Sequence, residues 1–66
     1  MTFEIIDTTD GRHEGELIEI EGKIVPGDEV THKDVSFKVD DVVWVDEMNV
    51  KLISSGYIAT FRVVGA

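Results

Sequence analysis

The chain carries fourteen acidic residues in a length of sixty-six, so the chemistry open to it is mostly carboxylate chemistry. His32 with Asp34, Asp28 and Glu29 is the grouping that most resembles a metal-ligand set. One imidazole among loop carboxylates falls short of the three or four donors of a zinc site, and a solvated turn is expected there instead. Asp40, Asp41, Asp46 and Glu47 crowd oxygen enough for Ca²⁺ but lack EF-hand spacing, so they read as solvated strand ends. Cysteine is absent, which excludes disulfides and thiolate metal sites. No metal and no cofactor are expected. Ser36, Ser54 and Ser55 are the hydroxyl nucleophiles in view, and none has a His at strand-pair spacing. Nothing in the pattern sets one carboxylate pKa against another, and a chain this short does not enclose a substrate alone. No residue is assigned a catalytic role.

Binding is the remaining class. Nine acids stand against two bases up to Glu29, and five against four beyond it. A field of that sign repels phosphate backbones and attracts basic surfaces, so a protein partner is expected and direct nucleic-acid binding is not. Glu14, Glu16, Glu19 and Glu21, with Asp7 and Asp10, would give the first hairpin an acidic face, and Trp44 would supply an aromatic anchor. The expected function is a non-enzymatic binding module, an acidic inhibitor or adaptor of another protein. The alternative is an oligomer that sequesters a small anionic or nucleotide-like ligand at subunit junctions, through Asn49, Lys51, Tyr57 and Arg62. Small accessory proteins of phages use both strategies, a comparison resting here on size alone.

The elements that must position these residues are strands. Met48–Ser54 and Tyr57–Val64 flank Ser55-Gly56, a two-residue loop suited to a primed turn. That loop puts Leu52 opposite Ala59, Val50 opposite Phe61 and Met48 opposite Val63 on one apolar face. Ile53–Ile58, Lys51–Thr60 and Asn49–Arg62 fall on the other. Upstream, Thr2–Thr9 and Glu16–Glu21 read as a second hairpin. Its loop is Asp10-Gly11 or Gly11-Arg12; the latter is preferred because it pairs Phe3 with Ile20, Ile5 with Ile18 and Ile6 with Leu17. A bulge at Gly15 would ease the Asp7–Glu16 like-charge pair.

Pro26-Gly27 signals a type II turn, and residues 26 to 34 read as a polar, mobile connection. Val35, Phe37, Val39, Val43 and Val45 share one parity, so a long strand bent at Asp40-Asp41 is expected. The spacing of Val42, Val45, Met48 and Leu52 also fits a helix, but four Val and a Trp favour strand. Trp44 then falls on the face away from Phe37 and Val39, beside Ile53 and Ile58, which favours an interface over a core role.

These elements make a single all-β domain over residues 1–66, a small, strongly bent antiparallel barrel or two-layer sandwich of five to six strands. An OB-like form fits such a barrel, with little or no helix. So short a chain has a thin core, and self-association is the expected support. No apolar run reaches membrane-spanning length, and a cytoplasmic location is expected. Asp10-Gly11-Arg12, Gly15-Glu16-Leu17 and Asp46-Glu47-Met48-Asn49 resemble the first motif of the Sm-like RNA-binding barrels. Here the Met-Asn element lies far downstream of Leu17, and Val63-Val64-Gly65 follows Arg62 where that family carries an R-G turn. The resemblance implies a small barrel, which in that family assembles into rings, and not RNA binding.

Overall fold

The computed structural model describes residues 1–65. The β6–β7 hairpin, Asn49–Ser54 with Tyr57–Gly65, is its spine. Ser55 and Gly56 both take positive φ, 43° and 88°, the backbone of a type I′ turn. The turn sets the expected register, with Val50 opposite Phe61, Leu52 opposite Ala59 and Asn49 opposite Arg62. Met48 lies outside the core; it is exposed, and its carbonyl accepts the Val63 N–H at 2.7 Å.

β1, Thr2–Thr8, pairs antiparallel with β7 and carries a bulge at Ile6, the extra residue between Ile5–Phe61 and Asp7–Thr60. β2, Leu17–Glu19, lies on the far side of β1. β5, Asp41–Trp44, lies on the far side of β6. The sheet order is β2-β1-β7-β6-β5. β3, Glu29–His32, and β4, Val35–Lys38, form a separate two-stranded sheet. All pairings are antiparallel, and among the described residues there is no helix.

The core lies between the layers. Phe3, Ile5, Ile18, Val50, Leu52, Ala59 and Phe61 line the inner face of the large sheet, and Val30 and Val39 come from the covering hairpin and its exit. Phe3 and Phe61 pack with ring centroids 6.0 Å apart. Each such side chain contributes roughly 1.5–3 kcal/mol when fully buried. Ile20, Ile24, Phe37 and Tyr57 pack around this cluster.

Four expectations are corrected. The first hairpin adopts the other register, Phe3 opposite Ile18 and Glu4 opposite Leu17. Thr9–Glu16 forms a loop wound about Asp10, whose carboxylate accepts the Arg12 N–H at 3.1 Å and the Thr8 hydroxyl at 3.3 Å. Those local bonds compete with the ladder, and Leu17 and Ile6 are left exposed. The bulge expected at Gly15 does form: Gly15, at φ 86°, donates its N–H to the Ile5 carbonyl at 2.6 Å while Ile5 donates to Glu16 at 2.8 Å, so two residues stand opposite one.

Second, the stretch read as mobile contains β3. A two-residue turn, Lys33-Asp34, with Lys33 at φ 56°, returns the chain into β4. Pro26-Gly27 does form the turn expected, with Gly27 at φ 99° and the Val25 carbonyl accepting the Asp28 N–H.

Third, the long strand is two strands in two sheets. The chain crosses between layers at Val39-Asp40, where Asp40 donates its N–H to Ile53 and its carboxylate accepts the Ser55 N–H at 2.9 Å. The crossing inverts side-chain parity, so Val42 and Trp44 face inward, opposite Leu52 and Val50, and not beside Ile53 and Ile58. Trp44 still sits half-exposed, at the rim of the inner face.

Last, the sheets do not close into a barrel: among the described residues, no backbone hydrogen bond joins β2 to β3.

Candidate functional site

The opening between β2 and β3 is a cleft of about 470 Å³. Its floor is apolar, made by buried Ile18 and Val30 with half-buried Ile20 and Ile24. Its rim is acidic: Glu19, Glu21 and Glu29 are exposed and Asp28 half-buried, and among the described residues no basic side chain lines it. The walls are strand edges. Antiparallel ladders turn alternate residues to alternate sides. Ile20 donates its N–H back to Met1, so the N–H and C=O of Glu19 face the opening. Across the cleft, the Asp28 carbonyl accepts from Val39, and the same alternation turns the backbone of Glu29 and Thr31 toward the opening.

One end of the cleft is fastened by side chains. Glu16 precedes β2 and His32 ends β3, and Glu16 Oε1 lies 2.9 Å from His32 Nε2. The other oxygen, Oε2, is 3.0 Å from His13 Nδ1. His13 Nε2 meets Asp34 Oδ1 at 2.6 Å, and Lys33 Nζ lies 2.6 Å from Glu16 Oε1. Arg12 reaches Asp34 at 3.3 Å. The two imidazoles stand edge to face with centroids 5.3 Å apart and are about one-fifth exposed. The Lys33 ammonium, then His32 and His13, hold the Glu16 carboxyl down at about 2. Asp34 and then Glu16 raise the His13 pKa above its ordinary value, and His13 in turn lowers that of Asp34. Two loops make this meeting, with His13 at φ 61° in one and Lys33 at φ 56° in the other.

No family model, no curated protein and no solved structure matches this chain.

The four glutamates do not share one face. Glu14 accepts the Thr8 N–H at 3.2 Å in the loop, and Glu16 is held by the histidines and Lys33. Glu19 and Glu21 lie on the cleft, where Glu19 also pairs with the Met1 ammonium at 2.6 Å and accepts the Thr2 hydroxyl. Trp44 borders a separate groove with Met1, Phe3, Ile24 and Val25.

The alternative set is divided between two faces. Asn49 and Arg62 sit opposite each other, with Lys51 on the same outer face. Arg62 is paired with Glu4, and the Asn49 amide is bonded to both oxygens of Asp46 at 3.0 Å. Tyr57 faces the other way, its ring against Phe37 and its hydroxyl toward Asp10.

Of the carboxylates weighed for metals, Asp28 accepts the Val25 N–H, Asp41 the Val42 N–H, and Asp46 the Met48 and Asn49 N–H groups. These are turn and strand-end roles. Sequence reasoning missed His13 and Lys33. His13 stands three residues before Glu16, a spacing with no meaning until the loop meets the β3–β4 turn.

Proposed function

We propose that this protein is a non-catalytic binding module that takes up an extended, basic segment of a partner protein in the cleft between β2 and β3, acting as an inhibitor or adaptor. The observation that carries this reading is two unpaired strand edges facing each other over an apolar floor, beneath an acidic rim. An added strand gains main-chain hydrogen bonds from such edges, and alternate side chains settle specificity. Here one side of that strand would lay aliphatic groups on Ile18, Ile20 and Val30, and the other would present Lys or Arg to Glu19, Glu21 and Glu29. Charge selects the occupant: a chain of net charge −8 opposes a second copy of itself and favours a basic guest. Filling the gap would also bring the open layers toward the barrel that the Sm-like resemblance implies.

The test is a titration with a synthetic peptide of alternating Lys and Val. Saturable binding that weakens with salt is expected, and the double change Glu19→Lys and Glu29→Lys weakens it tenfold or more, about 1.4 kcal/mol. Chemical-shift changes away from residues 17–21 and 28–31, or binding indifferent to both reversals, would defeat the reading. Concentration-dependent dimerisation abolished by the same reversals would replace the basic guest with a second copy.

A further inference from the structure

We propose that His13, Glu16 and His32 form a binding site for a divalent transition-metal ion of the zinc class, with Asp34 orienting His13 from behind. Two imidazole nitrogens and a carboxylate oxygen here lie within 4.8 Å of one another. A tetrahedral ion with bonds of about 2.0–2.1 Å holds its donors about 3.3 Å apart. His13 Nδ1 and His32 Nε2 already stand 3.0 and 2.9 Å from the two Glu16 oxygens, so small side-chain rotations bring all three donors onto one ion. Both imidazoles are largely covered, and their loops are constrained by left-handed residues at His13 and Lys33. The donor positions are therefore held before any ion arrives.

The surroundings match as well. Metal-bound histidines donate their second ring N–H to a carboxylate, which fixes the tautomer and ring orientation. Asp34 Oδ1, 2.6 Å from His13 Nε2, is that carboxylate, and it leaves Nδ1 as the ligand atom. A set of two nitrogens and one oxygen suits zinc, cobalt or nickel and not calcium or magnesium, which take oxygen ligands. Glu16 is one-third exposed, so solvent reaches the remaining coordination position. Lys33 is the competitor: its ammonium neutralises Glu16 in the metal-free chain, but it is well exposed on a turn and free to swing away.

The experiment uses the full chain, stripped with chelator and titrated with Zn²⁺ by calorimetry and with Co²⁺ by visible absorption. One ion per chain is expected, with the intense visible bands of tetrahedral cobalt. His13→Ala and His32→Ala each remove it. Asp34→Asn weakens binding roughly 10–100-fold, the usual loss when a carboxylate behind a ligand is removed. Lys33→Ala tightens it, because the competing cation is gone. Far-UV circular dichroism verifies that each variant is folded. Independently of any variant, Zn²⁺ must shift the imidazole resonances of both histidines in the unmodified chain. Absence of those shifts, or unimpaired binding after His13→Ala with His32→Ala, would overturn the site. So would an affinity unmoved by Glu16→Gln, since Glu16 would then not be a ligand.

Discussion

Leu52 and Ile58 sit on opposite faces of the same hairpin, and truncating each to Ala reads out which face the β3–β4 layer covers. Leu52 is fully buried, opposite Ala59 and against the core, whereas Ile58 is 41% exposed on the outer face. Leu52→Ala removes buried methyl groups and leaves a cavity that a two-layer core cannot fully close, a cost of about 2–5 kcal/mol. Ile58→Ala gives up part of a half-solvated side chain, and surface changes usually fall within about 0.5 kcal/mol. The contrast is large against the whole. At about 0.05–0.15 kcal/mol per residue, a chain of this length has roughly 3–10 kcal/mol in total, so Leu52→Ala takes a major share or unfolds the protein. Urea unfolding followed by far-UV circular dichroism measures both, with the single Trp44 as a second probe. Should the two variants lie within 0.5 kcal/mol of each other, the inner face is not covered and the layered core is wrong.

Three further outcomes follow from particular contacts. Gly56→Ala places a Cβ at φ 88° and is expected to cost about 1–2 kcal/mol in urea unfolding; no loss would mean the turn is not type I′. Asp40→Ala removes the acceptor of the Ser55 N–H and hydroxyl, which ties the layer crossing to the hairpin turn. Faster amide exchange at Ser55 is expected there, and an unchanged rate would refute the tie. Asp46 has its pKa lowered by the Met48 N–H and then by Asn49. A carboxylate lowered in the folded state stabilises above its unfolded pKa, and that support fades as pH falls through the folded value. The Tm deficit of Asp46→Ala is therefore expected at neutral pH and shrinks below about pH 4; a deficit that grows on acidification contradicts the turn geometry.

The hairpin Asn49–Gly65 was legible because its turn and its apolar alternation agree: Ser55-Gly56 admits one register, and that register pairs apolar with apolar. Where local bonds compete with alternation, legibility fails. Asp10 gathers Thr8 and Arg12 and so diverts the first hairpin into a loop, a choice that apolar pairing alone does not reveal. β3 was hidden because Val30 is its sole apolar residue, and its strand character depends on the Lys33-Asp34 turn and on Phe37 opposite. Alternation along the sequence through Asp40 puts Trp44 on the outer face, but the chain changes layers there and the parity inverts. The histidine pair is the extreme case. His13 and His32 meet only through two loops that the sheet brings together, so no spacing along the chain announces them.

The proposed binding mode requires the backbone edges of β2 and β3 to accept a strand. Amide hydrogen exchange on the chain saturated with the Lys–Val peptide tests it most directly, because only strand addition bonds those particular N–H groups. Slowed exchange is expected at Glu19, Glu29 or Thr31, on whichever edge the peptide takes, while outer-face amides keep their rates. Peptide bound at saturation with all three amides still exchanging as fast as in the free chain would contradict it.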